Sequence, residues 1–97
     1  MSQPLLTVIA EMTAQAGKED ALRQALLACI APTRQEEGCV EYFLHESTDA
    51  VGHFVFYENW VSVEALAEHL KTPHLVKLVD LAPELVEGPP RCKEVEG

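Results

Sequence analysis

"FVFYENWVSVEALAEHLKTPHL", Phe54 to Leu75, changes its periodicity midway, and that change decides the fold. Up to Trp60 the period is two: Phe54, Phe56, Glu58 and Trp60 share one face of a strand, while His53, Val55, Tyr57 and Asn59 share the other. Both faces carry large apolar groups, so this strand needs cover on both sides. Ser62 then stands where an N-cap belongs, and "VEALAEHLK" takes up helical spacing, with Val63, Leu66, Ala67 and Leu70 expected inward and Glu64 and Glu68 toward solvent. Thr72-Pro73 breaks this helix. Pro73 is placed to open a second, short one over "HLVKLVDLA", with Leu75, Val76, Leu78 and Val79 inward.

Working back from Phe54, the run "CVEYFLHES" is also extended, and a polar turn from Thr48 to Gly52 joins the two as a β-hairpin. Simple alternation puts Val40, Tyr42 and Leu44 on one face and Cys39, Glu41, Phe43 and His45 on the other. Before it, "KEDALRQALLACIAPTRQEE" repeats apolar residues at helical spacing: Ala21, Leu22, Ala25, Leu26, Cys29 and Ile30. Pro32 is expected to kink or weaken this helix and Gly38 to end it. The chain opens with a strand, "LLTVIAEMT", in which Leu6, Val8, Ala10 and Met12 alternate with Thr7, Ile9 and Glu11. Gly88-Pro89-Pro90 forbids early pairing in the tail, which places a last strand near Arg91 to Val95.

The order is strand, helix, strand, strand, helix with a second short helix, strand. It predicts an α+β fold, a ferredoxin-like βαββαβ antiparallel sheet with helices on one face. The 97 residues are expected to form one domain, 1–97, with a core of about 5–95. A core this small gains from a partner. The apolar groups on the second face of the strands are therefore expected to pack sheet on sheet against a second copy, giving a homodimer.

Hydrophobic residues make up 47 % and charged residues 24 %, as in an ordinary globular domain. Sixteen acidic residues against seven scattered basic ones give a net charge of -9, which disfavours nucleic acid as a partner. No run approaches the roughly 18 apolar residues of a membrane span, and Met-Ser-Gln-Pro has no basic start before an apolar stretch, so a cytoplasmic location is expected. Cys29, Cys39 and Cys92 lack C-x-x-C spacing and are expected to be reduced, mostly buried thiols rather than disulfides or zinc ligands.

Three segments resemble the antibiotic biosynthesis monooxygenase family, and most closely its small quinol monooxygenase-like members: "LTVIAEM", "EEGCVEYFLHES" and "FVFYENWVSVEALAEHLKTPH". The most specific parts are Glu37-Gly38-Cys39 and the spacing from Tyr57-Glu58-x-Trp60 through Ala65-x-x-x-His69 to Thr72-Pro73-His74. The likeness runs from Leu5 to about Glu87 and fades in the last strand. It implies a dimeric α+β barrel and an enzyme with no metal or organic cofactor, which adds one oxygen atom of O2 to a hydroquinone or polycyclic phenol. Such a substrate, once deprotonated, passes an electron to O2 itself, so the protein has to bind, deprotonate and shield it in an apolar cavity.

On that reading Glu58 and His69 are the catalytic candidates, a strand-to-helix pair in which the carboxylate orients the imidazole. The same pair would serve equally as a staple between the two elements. Phe54, Phe56, Trp60 and Tyr42 are candidate substrate-binding residues, each with core packing as the alternative. Asn59 and His74 are further candidates, the first against an interface role and the second against a helix-cap position. Arg34, His45 and His53 have no assignable partner.

Two branches resembling the family give rival activities. Haem degradation calls for a late helical histidine and an Asn on the first strand, but Leu75, Val76, Leu78 and Val79 are apolar and the first strand has no Asn. Isomerisation of a small phosphorylated dione shares the string "HLKTPH", but Trp60 replaces a smaller aromatic. A dimeric barrel that holds a ligand without turning it over is the alternative of a different class.

Overall fold

The structure, a computed structural model, describes residues 5–96; the opening Met-Ser-Gln-Pro lies outside them. The strands are β1 (Leu6–Thr13), β2 (Cys39–Glu46), β3 (His53–Trp60) and β4 (Arg91–Glu96), and the helices are α1 (Glu19–Arg34), α2 (Val63–His69) and α3 (Pro73–Leu85). All neighbouring strands run antiparallel in the order β2-β3-β1-β4. This is the ferredoxin-like arrangement, with α2 and α3 together filling the second crossover.

The core lies between the helices and one face of the sheet. Leu6, Val8 and Ala10 of β1, Tyr42 of β2, and Phe54, Phe56 and Trp60 of β3 meet Leu22 and Leu26 of α1 and Leu66 of α2. Trp60 is fully buried, and burying an aromatic of this size contributes on the order of 2–3 kcal/mol. Ser62 caps α2 by accepting a hydrogen bond from the Ala65 amide at 3.0 Å. The hairpin closes at Gly52, whose φ of +87° is disfavoured for a residue with a Cβ and whose amide donates to Glu46.

Several details depart from the sequence reading, each for a local reason. Cys39 pairs with Trp60 and Glu41 with Asn59, so Val40 is the extra residue of a β-bulge. The bulge puts Cys39 on the helix side with the core, where alternation alone placed it opposite Tyr42, and turns Val40 to solvent. Gly38 does not end α1, which stops at Arg34. A Cβ on Gly38 would come within 2.3 Å of the Ala65 Cβ, so this glycine lets the chain pass against α2. Pro32 falls in the last turn of α1, so the donor it lacks and the bulk of its ring disturb only the end of the helix, which stops two residues later at Arg34.

Helix α2 buries Leu66 and His69, leaving Val63, Ala67 and Leu70 exposed; Ala21 of α1 is exposed as well. Helix α3 is longer than expected, and it turns Leu75 and Leu85 fully inward while Val76 and Val79 face outward. Cys29 is buried, Cys39 half-buried and Cys92 exposed, and all three are free thiols.

Candidate functional site

A cavity of about 190 Å³ lies between the inner face of the sheet and helices α2 and α3. Its walls are apolar, from Val8 and Ala10 of β1 through Phe56 of β3 to Leu75 and Leu78 of α3. Tyr42 and Glu58 of the sheet and His69 at the end of α2 complete this lining.

Glu58 is buried, and its Oε1 accepts the indole N–H of Trp60 at 2.9 Å, two residues along the same strand face. Burial pushes its pKa up to about 7, against the opposing effect of the Trp60 hydrogen bond, with the negative charge of Glu36 adding to the rise. His69 is buried to the same degree but turns its Nδ1 to the Oε2 of Glu36, 2.9 Å away. The same Glu36 oxygen lies 2.8 Å from Nε2 of His74. Thr72 completes the group: its hydroxyl donates to the His69 carbonyl at 2.7 Å and lies 3.2 Å from Nε2 of His74.

A carboxylate only accepts, so these bonds assign a proton to Nδ1 of His69 and to Nε2 of His74. The Nε2 of His69 has no partner among the described residues and is left as an acceptor on a ring that forms part of the cavity wall. Burial lowers the pKa of His69 and outweighs the hydrogen bond and charge of Glu36, which keeps the imidazole neutral at neutral pH. Burial also holds the Tyr42 hydroxyl protonated well above its usual range. The cavity thus presents a neutral imidazole, a carboxyl that changes charge near neutrality, and a phenol that stays protonated. Such a set can take a proton from a bound hydroxyl and return one elsewhere.

The sequence profile of the antibiotic biosynthesis monooxygenase family matches residues 5–81. The chain belongs to this family. It is 39 % identical to Rv0793 of Mycobacterium tuberculosis, a protein whose name assigns it provisionally as a monooxygenase, with 92 % of this chain and 86 % of the relative covered. It is 37 % identical to "Probable quinol monooxygenase YgiN" of Escherichia coli, with 73 % and 78 % covered. The crystal structure of PA3566 from Pseudomonas aeruginosa superposes with a TM-score of 0.95 at 30 % identity, covering all of this chain and 97 % of that one.

Within this family member the expected pairing of Glu58 with His69 does not form. Glu58 is turned along its own strand to Trp60, and His69 faces the segment between α1 and β2 instead. Four of the candidates, Phe56, Glu58, Tyr42 and His69, line the cavity. Phe54 and Trp60 are buried on the same sheet face as core, with the Trp60 ring 4.4 Å from that of His69. His74 is drawn to Glu36 outside the cavity lining. Asn59 lies on the opposite face, where it accepts from Thr7 and donates to Glu41.

Sequence reasoning missed Glu36, which organises both histidines. Its two partners lie 33 and 38 residues away, and the one local signal is its place beside the close approach at Gly38. Arg34, left without a partner on the sequence, donates from Nε and Nη2 to the Tyr42 carbonyl at 3.1 and 2.8 Å and anchors β2 to α1. His53 is held by Thr13 and Glu11. Glu36, His69 and His74 also bring three potential metal-ligand atoms within 4.8 Å of one another.

Proposed function

We propose that the protein is a cofactor-independent monooxygenase that oxidises a hydroquinone or related electron-rich phenol with O2. The family and the monooxygenase names of Rv0793 and YgiN support the reaction class. The observation that carries the assignment of residues is that Glu58 and His69 enter one apolar cavity from different elements, each held by its own partner and neither bonded to the other.

In this reading the substrate hydroxyl gives its proton to Nε2 of His69, with Glu36 holding the ring. The resulting anion passes an electron to O2, and the two radicals combine at a ring carbon. The O–O bond then breaks as Glu58 in its acid form and the protonated His69 give the departing oxygen its two protons, while the hydrogen of that ring carbon leaves as a proton that returns to Glu58. One oxygen atom stays on the ring and the other leaves as water, so a phenol and O2 become a quinone and water. Tyr42 donates a hydrogen bond to a substrate oxygen, and Phe56 packs against the ring.

At about 190 Å³ the cavity lies below the roughly 300–1,000 Å³ of pockets for drug-sized ligands, which favours one- or two-ring substrates over larger polycyclic phenols. A phosphorylated dione would meet no Lys or Arg in the lining, which disfavours the isomerase reading. No helix among the described residues is long and apolar enough to cross a membrane, in keeping with a cytoplasmic enzyme.

Oxygen consumption with a panel of hydroquinones and phenols tests the proposal. Uptake that survives chelation and disappears in His69→Ala is the expected result. If no substrate raises uptake above its spontaneous rate, the monooxygenase reading fails and a ligand-binding barrel takes its place.

A further inference from the structure

We propose that Glu36, His69 and His74 form a binding site for a divalent transition-metal ion of the zinc class, entered from the acidic groove beside α2. The three donors come from the segment after α1, the end of α2 and the start of α3, and Nδ1, Nε2 and the carboxylate oxygen all lie within 4.8 Å of one another. Two imidazoles and one carboxylate are a zinc-type donor set that leaves a fourth position open. A second, independent feature points to a cation. An open groove of about 640 Å³ passes Glu36 and Thr72 and is walled by Glu37, Glu64 and Glu68. Its negative field concentrates cations at the place where Glu36 meets the histidines.

Both nitrogens now lie at hydrogen-bonding distance from Glu36 Oε2, 2.9 and 2.8 Å. Tetrahedral bonds of about 2.0–2.1 Å separate donors by about 3.3 Å, so to take the ion the carboxylate withdraws by about half an ångström and the two nitrogens, now within 4.8 Å of each other, settle at the same spacing. Glu36 lies between α1 and β2 with its backbone held, its amide donating to the Thr33 carbonyl at 3.0 Å and its carbonyl accepting from the Cys39 amide at 3.1 Å, so the adjustment falls to its side chain.

Metal binding has a consequence inside the cavity. A neutral imidazole ligates through its bare nitrogen, so the proton on Nδ1 of His69 must move to Nε2. The unpartnered Nε2 of this cavity-wall ring then changes from acceptor to donor. This consequence, unlike the binding itself, rests on the reading of His69 as the base: in that reaction the loaded protein has lost its proton acceptor, and the ion acts as an inhibitor rather than as a cofactor.

The test begins with chelator-treated, exchanged protein, titrated with Zn²⁺ by calorimetry and with Co²⁺ by visible absorption. One ion per chain is expected, with the ligand-field bands of low-coordinate Co²⁺. His74→Ala and Glu36→Gln should each weaken binding at least tenfold, while His53→Ala, which removes a histidine paired with Glu11 elsewhere, should leave it unchanged. Thermal melting checks each fold, and His74→Gln substitutes for any variant that does not fold. In ¹⁵N spectra, zinc should move the His69 proton from Nδ1 to Nε2. Absence of saturable binding, or equal binding by folded His74 variants, overturns the proposal. If zinc binds and the tautomer changes but oxygen uptake is unaffected, the metal site stands and the role of His69 as base falls.

Discussion

Glu58 shows how one buried group ties stability to chemistry. Folding raises its pKa from the ordinary 4.5 to about 7, chiefly by burial. Between those values the folded chain holds the proton more tightly than the unfolded chain, so stability falls as pH rises through this window. Below it the group costs nothing; above it the cost reaches about 3 kcal/mol. Glu58→Gln keeps an oxygen for the Trp60 indole and removes the charge. The variant should unfold at a urea concentration close to that of the wild type at pH 5, and should be more stable by up to about 3 kcal/mol at pH 8. A variant no more stable than wild type at pH 8 would show that the carboxyl is better solvated than its burial implies. The same substitution should slow turnover, because a proton given to the departing oxygen in the proposed reaction comes from Glu58. Together the two outcomes describe a residue kept at a cost in stability for what it does.

At the level of elements, the sequence made the strands and helices legible because burial on one side of the sheet imposes periods of 2 and 3.6. Leu6, Val8 and Ala10 alternate, Leu22, Leu26 and Cys29 recur every three or four residues, and both patterns survive in the structure. What stayed hidden depends on contacts between elements. The bulge at Val40 is one added residue with no periodic trace, and it alone moves Cys39 to the helix side. The valines of α2 and α3 look inward by composition, yet packing selects Leu66, Leu75 and Leu85. Glu36 looks like one more acid at a helix end until α2 and α3 bring two histidines to it. The junction that permits this is Gly38 against Ala65. Gly38→Ala would place a methyl group 2.3 Å from the Ala65 Cβ, so α2 or the start of β2 must shift, at a cost of about 1–3 kcal/mol. Because α2 carries His69 at its end, in the proposed reaction the variant should also lose oxygen uptake out of proportion to the fraction unfolded. Melting temperature and turnover measured on the same sample check this, and unchanged turnover per folded molecule would mean that α2 tolerates the shift without moving His69.

On the scale of the whole molecule, the helices cover one face of the sheet and leave the other to be accounted for. Register places Phe43, Tyr57 and Ile9 side by side across β2, β3 and β1. Phe43 and Tyr57 are 43 % and 39 % exposed. The rows on either side are more polar: Glu41, Asn59 and Thr7 form one hydrogen-bonded chain, and in the other His45 and Glu11 flank Val55. An apolar stripe with a polar rim is the anatomy of a protein interface, and a small domain gains most from covering it. The homodimer expected from the sequence would pack these stripes sheet on sheet across a two-fold axis, so each substitution would act twice in one interface. Tyr57→Asp puts a charge at the middle of the stripe, on a central strand, without touching the helix-side core. Sedimentation velocity should then show the wild type at twice the chain mass and the variant at the chain mass, with the same far-ultraviolet circular dichroism. If the wild type sediments as a single chain at high concentration, the face has another purpose. If the variant remains dimeric, two copies meet through a surface other than the sheet.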